Sequence, residues 1–311
     1  MAVNNSIAQR RGTGKPQTFS AFLAQDAIKK RVNDMVGGKD GQRFITSIIS
    51  AVSINPALSE CDHSTILSAA MLGESLKLSP SPQLGQYYLV PFNDKKRGCK
   101  VAQFQLGYKG YIQLAIRSGY YKKLNVLAIK KGELEHYDPL EEEISVHLIE
   151  DEAERETAET IGYYAMFEYT NGFKKTMYWS REKMMSHADK FSQAFNAKTY
   201  QKIQNGEIPQ GDMWKYSSFW YKDFDGMAYK TMLRQIISKW GIMSIEMQNA
   251  IEKDMGAIND DGSVEYVDNV ANPEESPASG PDVIDVDPST GEVTQAADTA
   301  AGDPTSSFFN Q

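Results

Sequence analysis

The sequence predicts an α+β fold: N-terminal helices, a mainly antiparallel sheet with hairpins, a long C-terminal amphipathic helix and a disordered acidic tail. Three observations carry this reading. Apolar residues recur at helical spacing between Phe22 and Leu76. From Tyr87 to Trp179 they fall instead into short runs separated by turn residues, with Asn171-Gly172 as the strongest hairpin signal. Large apolar residues then become scarce, and residues 254–311 hold 13 acidic and no basic side chains. The chain accordingly divides into a flexible arm (1–17), a folded core (18–253) and the tail (254–311).

The arm is polar and contains Arg10, Arg11, Gly12, Gly14 and Pro16. Gly14-Lys15 is no nucleotide-binding loop, because Pro16 stands where a magnesium-binding hydroxyl is needed and no glycine lies five residues before Gly14. Phe22, Leu23, Ile28, Val32 and Met35 line one helix that Gly37-Gly38 ends, and Phe44, Ile45, Ile48, Ile49 and Val52 line a second that stops at Pro56. Ser64 can cap a third, carrying Ile66 to Leu76; His63 beside Asp62 reads as local capping rather than a metal or acid–base pair.

Tyr87–Phe92 and Cys99–Leu106 read as a hairpin whose exposed turn carries Lys95, Lys96 and Arg97. A short helix over Tyr108–Ser118 follows, terminated by Gly119. On it Tyr108, Tyr111, Ile112 and Ala115 share a face. Lys109, Gln113 and Arg117 form a polar stripe with a repeat of about 6 Å, close to a phosphate spacing. Strands are predicted at Leu124–Ile129, Ile144–Ile149, Ile161–Tyr169 and Phe173–Trp179, and a helix capped by Ser180 runs to about Phe191. Ala194–Asp212 is loop-like. Met213–Trp240 contains three of the four tryptophans and ends in an amphipathic helix, with Tyr229, Met232, Leu233, Ile236, Ile237 and Trp240 on one face and Lys230, Arg234 and Ser238 on the other.

The net charge of −8 hides an uneven distribution. Without the tail and the acidic block Asp138–Glu159, the chain carries 32 basic and 18 acidic residues. Between Lys95 and Lys131 stand ten basic residues and no acidic one, interleaved with Phe104, Tyr108, Tyr111, Tyr120 and Tyr121. Cations for a phosphate chain and aromatic faces for unpaired bases are what a single-stranded nucleic-acid groove requires. A solvated basic face over a tyrosine-bearing core is the plainer reading of the same residues.

The acidic block (Glu141, Glu142, Glu143, Asp151, Glu152, Glu154) reads as a solvated face, with a magnesium-dependent nuclease as the alternative. Cys61 and Cys99 form no metal or disulfide framework. No apolar run approaches the ~20 residues of a membrane helix. A soluble, cytoplasmic protein without cofactor, metal or membrane partner is expected.

The chain resembles the RecT family of phage single-strand annealing proteins. The likeness rests on LKLSPSPQLGQYYL (Leu76–Leu89) with Val90-Pro91-Phe92, on Gln105–Tyr111 with Leu114-Ala115 and Arg117-Ser118-Gly119, and on Met227–Thr231 through Arg234. It spans roughly Phe44 to Glu252. It implies ATP-independent binding of single-stranded DNA, pairing of complementary strands, assembly into rings or helical filaments, and no enzyme activity. Members act beside a phage exonuclease in a bacterial host.

The expected DNA-binding residues are Lys95, Lys96, Arg97, Lys100, Gln105, Tyr108, Lys109, Tyr111, Gln113, Arg117, Lys122, Lys123, Trp220, Lys230 and Arg234. The cations would hold phosphates, and Tyr108, Tyr111 and Trp220 either stack on bases or pack in the core. The tail, ending in Phe308-Phe309, either keeps the chain soluble, competes with DNA or contacts a host single-strand-binding protein. A single-strand protector that does not anneal is the other alternative.

Overall fold

A computed structural model describes residues 17–265 except Gln193 and Ser217, all within one unit of the chain, Met1–Asn269. All of the predicted arm but Gln17, and most of the predicted tail, lie outside the described residues. Three helices open the fold: α1 (Phe19–Leu23), which Thr18 caps through Ala21 N–H, then α2 (Asp26–Val36) and α3 (Gly38–Ile54). In α4 (His63–Ser75) every residue from Thr65 to Gly73 is buried, as expected of a helix apolar on all sides. Its cap is Asp62, which accepts from Ser64 N–H, so the acid does what was expected of Ser64.

β1 (Tyr87–Asp94) and β2 (Cys99–Leu106) form the predicted hairpin, with Tyr87 opposite Leu106 and Asp94 opposite Cys99. α5 (Tyr108–Ser118) ends at Gly119, whose φ of 75° is the left-handed conformation that glycine accepts freely. β3 (Tyr121–Lys130) follows. The chain then forms β4 (Leu134–Asp138), which leads into the acidic block, and within the block β5 (Glu143–Val146) and α6 (Glu152–Thr157). β6 (Thr160–Tyr169) and β7 (Lys174–Ser180) meet across Asn171-Gly172, and Ser180 caps α7 (Arg181–Phe191) through Lys183 N–H. The expected loop after it contains α8 (Ala197–Gln204), capped by Asn196. α9 (Phe219–Lys222), α10 (Phe224–Trp240) and α11 (Ile245–Glu252) close the helical part.

The folded core does not end at 253. β8 (Gly256–Ile258) pairs with β2, and β9 (Val264–Glu265) pairs with β8. The strands make three antiparallel sheets, ordered β1-β2-β8-β9, β3-β6-β7 and β4-β5. α4 packs on the first, and α10 packs on the second and against α5. Tyr87, Phe104, Tyr111, Tyr163 and Phe167 are the largest fully buried side chains of the core between them.

Candidate nucleic-acid interface

The Gln105–Tyr111 motif is a place where two backbone segments cross. Gly107 N–H donates to Gln86 O at 2.8 Å, joining the end of β2 to the segment before β1. A Cβ on Gly107 would stand 2.1 Å from Gly85 O, and one on Gly110 2.2 Å from Gln86 O, so only glycine fits at either position. This crossing fixes where α5 starts and therefore which way its side chains point. Tyr111 goes inward and is fully buried. Tyr108 is half-buried, edge-on to Tyr229 at 5.6 Å. Lys109, Gln113 and Arg117 emerge on the exposed face, as their spacing predicted.

The exposed cations differ in how committed they are. Lys95, Lys96 and Lys109 have no acidic partner among the described residues. The turn that carries the first two is held by Asp94, whose buried Oδ1 accepts from the backbone N–H groups of Lys96 (2.8 Å) and Arg97 (3.1 Å). Arg97 is bound to Asp94, Asn259 and Glu265, and Lys100 to Glu60. Lys122 and Lys123 share Glu168, at 2.6 and 3.5 Å. Arg117 turns back onto the end of α4, donating to Leu76 O at 2.6 Å and Lys77 O at 3.4 Å, where the carbonyls at a helix C-terminus lack partners.

The second group of expected residues converges elsewhere. Gln105 and Trp220 line a cavity of about 290 Å³; Trp220, Lys230 and Arg234 line an adjoining one of about 330 Å³. The two share Phe191, Ser192, Trp220, Met227 and Met255, and so form one depression between the hairpin sheet and α7, α9 and α10. Beneath it lies Asp254, whose side chain is wholly buried. Its Oδ1 accepts from Lys230 Nζ and from Leu106 N–H, both at 2.9 Å. Its Oδ2 accepts from Arg234 Nη1 at 2.9 Å and, weakly, from the Tyr111 hydroxyl at 3.4 Å.

Two cations on one carboxylate leave a net positive charge beside the cavity. Burial pulls the Lys230 pKa down, against the attraction of Asp254. Arg234 is partly exposed and, among the described residues, donates one hydrogen bond, to Asp254, which leaves further donors of its guanidinium for another acceptor.

Three of the expected contact residues are corrected here. Tyr111 is a core residue bonded to Asp254, and a buried ring cannot stack on a base. Trp220 is 4% exposed and packs on Phe195 and Phe224, so it walls the depression without offering a ring face. Lys230 was expected among the cations that hold phosphates but is buried under the chain that follows α11, with its charge turned to Asp254. Asp254 itself escaped the sequence reading, because nothing in composition distinguishes it from the twelve acidic residues that follow it.

Carboxylates in and just before the acidic block have structural partners. Glu133, fully buried, accepts from Arg155 Nε at 2.6 Å and from the backbone N–H groups of Lys130 (2.7 Å) and Ile149 (3.2 Å). Burial pushes its pKa up, but the Arg155 guanidinium and the two N–H groups outweigh this and hold it below the ordinary glutamate range. Glu142 pairs with Lys175. Among the described residues, no three of His, Cys, Asp and Glu gather where they would hold a metal ion, and no helix is long and apolar enough to cross a membrane.

A depression with a surplus cation and amide side chains, near a hairpin whose tip carries two lysines without an acidic partner among the described residues, suits a polyanion such as a phosphate chain. The profile of the RecT family matches residues 42–266, and the chain belongs to that family, whose role is single-strand annealing in DNA recombination. The YqaK protein of Bacillus subtilis (strain 168) is 35% identical over 312 residues, covering 98% of this chain and 94% of that protein. Protein RecT of Escherichia coli (strain K12) is 30% identical over 238 residues, covering 75% of this chain and 79% of its own.

Proposed function

We propose that this chain binds single-stranded DNA and anneals it to its complement without ATP, as an oligomeric ring or filament, in phage homologous recombination in the bacterial cytoplasm. The observation that carries the reading is the Arg234–Lys230–Asp254 cluster opening on the depression walled by Trp220 and Gln105. Arg234 is the group with donors to spare for a phosphate there, and Lys95, Lys96 and Lys109 add charge without first breaking an ion pair. Neutralising phosphates removes the repulsion between two strands, while pairing itself reads the sequence. A phage exonuclease that exposes single strands is the expected supplier of substrate, and the host single-strand-binding protein a further partner.

The test mixes two complementary labelled oligonucleotides in nucleotide-free buffer, with and without the protein. Faster duplex formation at moderate salt is expected. Retention of one strand without acceleration would mark a protector instead, and neither effect would remove the reading. Arg234→Gln is expected to weaken single-strand binding and make its salt dependence shallower by about one counterion.

A further inference from the structure

The β4-β5 hairpin stands apart from the other two sheets, sharing no backbone ladder with either. Two-stranded hairpins are marginal on their own and need something to pack on. Tyr137, beside the turn and edge-on to Tyr178 at 5.2 Å, and Glu142, in the turn and paired with Lys175, tie the turn end of the hairpin to β7. Its turn is stiff, because Asp138 Oδ1 accepts from Leu140 N–H at 2.7 Å and from Glu141 N–H at 3.3 Å. That turn presents Leu140, which at 89% exposure is the most exposed large apolar residue of those described. Around it stand the exposed carboxylates of Glu141 and Glu143. A lone exposed leucine is ordinary on a protein surface. This one is set apart by its braced turn and by the exposed carboxylates on either side, a shape and charge that an apolar hollow edged by a cation would match.

A matching hollow exists on the same chain. Along the unpaired edge of β1 lies a cavity of about 580 Å³, lined by Leu58, Leu89, Pro91 and Phe219 and by the exposed Lys222. Lys222 has no ion-pair partner among the described residues. Tip and hollow belong to opposite ends of α10. Lys175, which holds Glu142, rests 3.6 Å from the ring of Trp240 at the C-terminal end of that helix. Phe219 and Lys222 form α9, immediately before its first residue, Phe224. The 17-residue α10 is about 25 Å long, so no copy can fill its own hollow.

We propose that the Leu140 turn of one copy of this chain enters the Pro91–Phe219 hollow of the next, with Glu141 or Glu143 meeting Lys222. The two surfaces differ, so the contact is head-to-tail and repeats from copy to copy, closing a ring or extending a filament. It rests on the assembling reading above and supplies that reading with its contact. The hollow shares Val90, Pro91 and Phe219 with the depression that holds Gln105, so docking there continues the nucleic-acid surface from one subunit to the next.

The experiment uses the full chain, with sedimentation velocity and negative-stain imaging, alone and after sequential addition of two complementary oligonucleotides. Leu140→Asp is expected to weaken association by about tenfold or more, with unchanged circular dichroism and melting temperature, since the side chain touches little within its own subunit. Lys222→Glu should also weaken association, and combining it with Glu141→Lys and Glu143→Lys together should recover part of the loss. Mixing Leu140→Asp with Lys222→Glu should give short oligomers, because the first variant keeps a hollow and the second keeps a tip. Wild-type assembly by a folded Leu140→Asp protein, or no recovery in the charge exchange, would overturn the proposed contact and leave the assembly reading standing. A wild-type chain that stays monomeric with both strands present would remove that reading and the contact together.

Discussion

One carboxylate, Asp254, joins three elements of the fold: the end of β2 through Leu106 N–H, α5 through Tyr111, and α10 through Lys230 and Arg234. Removing one partner from a buried charge cluster leaves the others desolvated and unpaired. Asp254→Ala is therefore expected to cost about 3–5 kcal/mol in denaturant unfolding. Two residues of the same exposed stripe should part company when tested. Lys109 has no acidic partner among the described residues, so Lys109→Ala is expected to lower single-strand affinity and leave the melting temperature unchanged. Arg117 holds Leu76 O and Lys77 O, so Arg117→Ala is expected to lose about 1 kcal/mol of stability whatever it does to binding. Sequence spacing placed both on one face, and it did so correctly; what each side chain does there depends on neighbours forty residues away. The expectation for Lys230 failed for a related reason. Helical periodicity says which residues share a face, but not that a second segment will cover it.

The elements most legible in the sequence are those whose ends are marked by local chemistry. β2 and α5 run as expected because Gly98 and Gly107 bracket the strand and Gly119 stops the helix, and Asn171-Gly172 sits in the β6–β7 turn. α8 was missed because it is short and polar, with Tyr200 as its single buried residue and Asn196 as its only start signal. The crossing at Gly107 and Gly110 gives the GYKGY sequence a reason that motif matching alone does not. Gly107→Ala or Gly110→Ala would drive a methyl group into a backbone carbonyl, and a loss of about 1–3 kcal/mol is expected in thermal or denaturant unfolding. Just before the acidic block, Glu133 ties together the end of β3, the segment after β5, and α6. Its pKa is lowered by folding, so its contribution is present above the ordinary glutamate pKa and is lost as pH falls through the lower folded value. Glu133→Gln should flatten the acid side of a stability–pH curve measured by denaturant titration, and an unchanged curve would show that the carboxylate is not held this way.

At the scale of the molecule, the fold class and the order of its parts were readable, whereas the split into three sheets and the true end of the core were not. The boundary at 253 fell one residue before the acid that anchors the last strands, because a fall in apolar content marks where core-building stops and says nothing of isolated charged anchors. A chain ending at 253 is expected to be far less stable than one ending at 265, and limited proteolysis of the two would separate them. The sheet order β1-β2-β8-β9 places Gly256 and Ala257 of β8 against a strand made some 150 positions earlier. During synthesis, β2 must therefore wait with a bare edge until almost the whole core has left the ribosome. Neighbouring nascent chains on one messenger would meet those edges first, and a polysome that stalls before codon 256 would be where misassembled protein accumulates.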